Sequence, residues 1–131
     1  MGIAENKSAI RRFLSQEVFF GEEENLAVVD EVFHPEVVFV GPEGEAQVDG
    51  TEAIAQLKDE LRGYQRTRGE IDIPQQFAEG ESVATRYTLE VEEEGTYEGV
   101  TFSHFADGKI KEYLILVGEY ADWRVRARAH N

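Results

Sequence analysis

Early in the chain, apolar positions recur at helical spacing. Ile10, Phe13, Leu14 and Val18 fall at i, i+3, i+4 and i+8, while Arg11, Arg12, Gln16 and Glu17 lie mainly off that stripe. The pattern predicts one amphipathic helix from Ala4 to Phe20, ended by Gly21 and the run Glu22-Glu23-Glu24. Asn25 is placed to cap a second, shorter helix carrying Leu26, Val29, Val32 and Phe33. His34-Pro35 stops it, because the residue before a proline avoids the α region. Glu36 to Val40 then reads as a short strand, ended by the turn-like Gly41-Pro42-Glu43-Gly44. Asp49-Gly50-Thr51 opens a third helix whose stripe is Ile54, Leu57, Leu61 and Tyr64.

Beyond Gly69 the period changes from helical to two. Ile71, Ile73 and Phe77 alternate with polar residues, and Pro74 marks an edge strand or a bulge. Val83, Thr85, Tyr87, Leu89 and Val91 form the cleanest alternation in the chain, after a turn at Glu79-Gly80-Glu81. The stretch from Tyr97 to Val117 is two apolar-rich runs around Asp107-Gly108, a dipeptide that accepts the positive φ angles of a tight hairpin turn. The final strands are expected at Tyr97–Phe105 and Lys109–Tyr120. Three helices interleaved with one short strand, followed by four long antiparallel strands, is an α+β order. Trp123-Arg124-Val125-Arg126-Ala127-Arg128 alternates apolar and basic, which fits a last edge strand, a short helix or a disordered tail.

Composition narrows the function classes. At 131 residues the chain reads as a single domain over 1–131, long enough to bury roughly two-thirds of its unfolded surface. The formal net charge is −14, and with no basic stripe to offset it, nucleic acid is not an expected partner. No apolar run approaches the roughly 20 residues of a membrane span, and the early charges do not fit a signal peptide. A soluble, cytoplasmic protein is the expectation. Cysteine is absent, which excludes disulfides and thiolate metal sites. The three histidines, His34, His104 and His130, are scattered along the chain and are not expected to make a metal site.

In sequence order, the long first helix is followed by L-A-V-V-D-E-V-F-H-P-E-V-V-F-V-G-P, D-G-T-E-A-I, E-G-E-S-V-A-T-R-Y-T-L-E and F-A-D-G-K-I-K-E. This series resembles the SnoaL-like polyketide cyclase family of the nuclear transport factor 2-like superfamily, over about Asn6 to Tyr120. The resemblance implies a cystatin-like α+β cone, with three N-terminal helices packed on a curved, mostly antiparallel sheet that encloses an apolar pocket. It also implies a homodimer that needs no metal or organic cofactor. The cyclases are known for a His and Asp acid/base pair on the final strands. His104 stands about where that His would be, Gly118 stands near the expected Asp, and Leu114 replaces an aromatic that similar chains often carry.

Among the residues themselves, His104 is the histidine with a catalytic case. A two-residue turn pairs Phe105 with Ile110 and His104 with Lys111, which puts Val100, Phe102, His104, Tyr113 and Ile115 on one face. An imidazole beside a phenol on an apolar face is suited to acid/base work near neutral pH. Phe13 and Phe39 are expected in the pocket wall, with His104, Tyr87 and Tyr113 as its polar groups. Two functions follow. One is non-catalytic binding of a small apolar oxygenated molecule. The other is a cofactor-independent cyclase, isomerase or hydrolase using His104. Large apolar residues on both faces of Lys109–Tyr120 also predict dimerisation through the outer face of the sheet.

Overall fold

The computed structural model describes residues 2–119, so the Trp123–Arg128 run and the end of the last expected strand at Tyr120 lie outside the described residues. The predicted first helix is two helices. Helix α1 (Ile3–Phe13) ends where Leu14 leaves the helical region, and Ser15 caps α2 (Gln16–Phe20) by accepting a 3.3 Å hydrogen bond from the Val18 N–H. The stripe survives the break: Ile10, Phe13, Leu14 and Val18 are all buried. A 3-10 turn (Glu23–Leu26) leads into α3 (Ala27–Val32). Asn25 does not cap it; its side-chain amide instead donates to the Glu17 carbonyl and holds the preceding turn.

Strand β1 (Phe33–Val40) starts before the proline rather than after it, and β2 (Ala46–Asp49) is a strand the sequence reading did not include. Helix α4 (Gly50–Gln65) follows, and then β3 (Gly69–Glu79), β4 (Ser82–Val91), β5 (Gly95–Ala106) and β6 (Lys109–Glu119). The six strands form one sheet in the order β2-β1-β6-β5-β4-β3. The sheet is mixed: β1 runs parallel to β6, and the remaining pairings are antiparallel. The chain reaches β1 before α4 and the β3–β5 meander, so β6 returns beside it in the same direction.

The sheet curves, and its irregularities account for the bends. Pro74 cannot donate to a ladder, and the β3–β4 register shifts between Asp72 and Gln75 on this edge strand. A second shift lies in the β5–β6 hairpin. Asp107 and Gly108 both take positive φ, 55° and 79°, as a tight hairpin turn requires. Phe105 pairs with Ile110 as expected, but His104 pairs with Glu112, so Lys111 is an extra residue in β6.

One face of the curved sheet holds the core. Val83, Tyr87, Leu89 and Val91 of β4 meet Phe105, Ile110 and Tyr113, and α1, α2, α3 and α4 cover them with Phe13, Phe19, Val29, Leu57 and Leu61. Phe13, Phe33 and Tyr113 interlock edge to face, with centroids 5.0 Å apart for Phe13–Phe33 and 5.1 Å for Phe33–Tyr113.

Gly99 is where this packing leaves no slack. A Cβ there would lie 2.5 Å from the buried Tyr87 ring on the neighbouring strand. Gly99→Ala is therefore expected to lower stability by about 1–3 kcal/mol in chemical denaturation. Adding Tyr87→Leu should recover part of that loss, as a double-mutant cycle would show. Additive effects of the two changes would contradict this packing.

Candidate functional site

The inner face of the sheet does not pack solidly against the helices. A cavity of about 390 Å³ opens between α4, the β1–β2 end of the sheet and β6. Phe13, Phe39, Tyr87 and Tyr113, all expected in a pocket from the sequence, line it together. Tyr113 sits at its deep side, with ring centroids 5.6 Å from Phe39 and 6.2 Å from Phe13. Ile115 and Val117, half exposed, continue the β6 wall toward the opening.

His104 is elsewhere. The extra residue Lys111 breaks the face expected from a regular two-residue hairpin, and Ser103, not His104, shares a face with its partner Tyr113. His104 instead lies on the outer face in an open groove of about 580 Å³ with Phe77, Ala84, Phe102, Glu112 and Leu114. It is exposed, and its Nδ1 is 3.0 Å from Ser82 Oγ on the adjacent strand. By strand alternation position 118 falls on this outer face too, paired with Glu98. His34, half buried, accepts a 3.0 Å hydrogen bond at Nδ1 from the Glu36 N–H and serves its own turn. Among the described residues, no group of three His, Asp or Glu side chains is disposed to hold a metal ion, and no helix is long and apolar enough to cross a membrane.

The family model of the SnoaL-like domain matches residues 5–113. The chain belongs to the SnoaL-like family. No curated protein matches it. Among solved structures, a proposed SnoaL-like polyketide cyclase from Jannaschia sp. CCS1 is similar at 20% identity and a TM-score of 0.70, covering 87% of this chain and 85% of that one. An epoxide hydrolase of the LEH-like type from M. tuberculosis aligns at 18% identity and 0.66, covering 94% and 91%. A de novo designed protein with a curved β-sheet reaches 0.70 at 14% identity, covering 97% and 96%. At these identities the likeness is one of fold.

In this SnoaL-like chain the cavity has a polar inventory that the sequence reading missed in part. Glu60 and Gln56 of α4 line it, and Tyr64 completes a row at i, i+4 and i+8 along one helix face. Glu60 lies about 60° around the helix from Leu57, at the edge of the apolar stripe on the Tyr64 side. That angular position was the available signal; a lone glutamate among many on an acidic chain did not stand out. Glu60 is exposed to solvent, yet the surrounding protein desolvates its carboxyl enough to raise its pKa. Burial also pushes the phenols of Tyr64, Tyr87 and Tyr113 upward, and the negative charge of Glu60 adds to all three. They are neutral hydrogen-bonding groups across the physiological range. Beside Tyr113 on the same sheet face, Ser103 Oγ is buried without a protein hydrogen-bond partner, and the Thr101 hydroxyl lies against the Tyr113 phenol.

A carboxyl whose folded pKa is raised binds its proton more tightly folded than unfolded, so its ionisation costs stability as pH climbs through that interval. Glu60→Gln is therefore expected to raise the melting temperature at neutral pH. The gap should close on acidification below the ordinary glutamate range, about 4.3, where Glu60 is protonated in both states. Melting curves from pH 3 to 8 read this directly, and a gap that widens toward acid would contradict it.

Proposed function

We propose that the protein binds a small apolar molecule bearing oxygen in the inner cavity, without transforming it. The observation that carries this reading is the make-up of the cavity wall. It combines Phe13, Phe19, Phe39 and Leu57 with a few hydroxyls and one carboxylate, and among the described residues no histidine, lysine or arginine lines it. A largely apolar concavity with few polar groups is the usual form of a small-ligand site. Neutral phenols of Tyr87 and Tyr113 donate to a ligand oxygen, and the aromatic walls take its hydrocarbon part. The names borne by two similar structures, polyketide cyclase and epoxide hydrolase, belong to proteins acting on ligands of that general kind.

A second reading rests on Glu60. A desolvated carboxyl with a raised pKa is suited to moving a proton at a ligand carbon or oxygen, opposite a phenol donor. On this reading the protein is a cofactor-independent isomerase or hydrolase whose acid/base group is Glu60 rather than His104. Binding is favoured because no hydrogen bond links Glu60 to a tyrosine or to any second acid/base group among the described residues.

A thermal-shift screen of small oxygenated hydrophobes should yield ligands that raise the melting temperature. Ile115→Trp, which fills the mouth from a half-exposed position, should abolish that shift, whereas His104→Phe on the outer face should leave it intact. Turnover of a bound compound that is lost in Glu60→Gln would replace binding by the second reading. A shift unaffected by Ile115→Trp would place the ligand outside the cavity and end both.

We further propose that the outer face of the sheet joins two copies. Phe77 and Phe102 are 63% and 46% exposed there, Leu114 and Leu116 on β6 lie beside β5, and no helix among the described residues covers this side. Light scattering in moderate salt, which screens the −14 charge, is expected to give twice the chain mass. Phe102→Glu should give a monomer that keeps its fold. A monomeric mass for the unaltered protein at micromolar concentration would refute the pairing.

A further inference from the structure

Building on the reading of the cavity as a ligand site, we infer that its ligand carries a protonated amine, held at the mouth by Glu60 against the aromatic wall. Charge is distributed unequally along α4. Lys58 pairs with Asp30 at 2.7 Å, and Arg62 pairs with both Glu23 and Asp59 at 2.7 Å. Glu60, between them in sequence, points to the cavity side and has neither an ion-pair nor a hydrogen-bond partner among the described residues. Among the described residues it is the one carboxylate in the lining, and no cation of the lining opposes it.

Glu60 is exposed at the cavity mouth, so its charge is open to a counter-ion brought by a ligand. A ligand ammonium fits it, since it supplies both the opposite charge and up to three N–H donors. The surrounding rings fit the same cation. Tyr64 lies one turn along the helix from Glu60, and its ring packs against Phe19 with a centroid separation of 5.5 Å. Tyr87 and Tyr113 lie near enough for the Glu60 charge to act on both. Aromatic faces beside a carboxylate attract an ammonium more strongly as water is excluded. The arrangement works equally against anions: a ligand carboxylate would meet Glu60 with no basic group to receive it. The net charge of −14 adds a long-range attraction for cations that salt screens. The cavity volume suits a bicyclic or short-chain hydrophobic amine rather than a polyamine, because only one carboxylate is present to receive charge.

Three probes of the same shape separate the contributions: 2-(1-naphthyl)ethylamine, 2-(1-naphthyl)ethanol and 1-naphthylacetic acid. Calorimetric titration at pH 8 in moderate salt keeps the amine charged and Glu60 ionised. The amine is expected to bind at least about tenfold tighter than the alcohol, equivalent to roughly 1.4 kcal/mol, and the acid weakest of all. Glu60→Gln should bring the amine-to-alcohol affinity ratio close to one, and Ile115→Trp should abolish binding of both. Equal affinity for amine and alcohol in the unaltered protein would overturn the amine assignment and leave the ligand cavity standing. An amine preference that survives Glu60→Gln, or amine binding that survives Ile115→Trp, would trace the preference to the acidic surface and also overturn it. Failure of all three probes to bind at millimolar concentration would count against the amine and the ligand site together.

Discussion

The inward position of Tyr113 depends on one unpaired residue, Lys111, in the hairpin that completes the sheet. Because side chains alternate along a strand, a single extra residue exchanges the two faces of everything that follows it. With Lys111 bulged out, Tyr113 turns inward against Phe33, Phe13 and Phe39, while Glu112 and Leu114 pair outward with His104 and Phe102. On the parallel strand β1, Phe39 pairs with this inward Tyr113. A regular hairpin would bring His104 and Tyr113 to one face and leave the aromatic cluster without its central ring. The inward phenol, and its separation from the outward histidine, are thus consequences of one local geometry.

Helix α4 supplies the other half of the candidate site. Its buried row, Ala53, Leu57 and Leu61, fixes the helix on the sheet, while Gln56, Glu60 and Tyr64 are carried along to face the cavity. Nothing in the fold requires a carboxylate there. Ser103 adds a buried hydroxyl without a protein partner to the inner sheet face, and Thr101 adds another beside the Tyr113 phenol.

Much of the fold was legible because the strands obey a strict period. Val83, Tyr87, Leu89 and Val91 are buried as their alternation requires, and Gly80 and Asp107-Gly108 turn the chain where positive φ is needed. The break between α1 and α2 was not legible. The apolar stripe continues through it, and Ser15 reveals itself as a cap only once Leu14 has left the helix. The sequence signal for β2 was short and polar, so only pairing with β1 defines it. Of the candidate site, the aromatic members were readable as inward-facing apolar positions. His104 was misplaced because a bulge depends on cross-strand pairing, which composition at Lys109-Ile110-Lys111 does not specify. Glu60 went unseen because its role comes from what surrounds it rather than from its spacing.

The similarity to a designed protein with a curved sheet limits what the architecture itself explains. A fold that can be specified without a natural function is a packing solution, and its cavity follows from curvature and bulges rather than from any particular chemistry. What individualises this chain is therefore the choice of groups on the cavity wall. Among the described residues that wall carries phenols and one unpaired carboxylate, but no imidazole and no basic side chain. On the proposed reading such a wall would distinguish ligands first by charge and then by the placement of a hydrogen-bond acceptor. Shape would be a weaker filter, since the β6 wall at Ile115 and Val117 is half open to solvent.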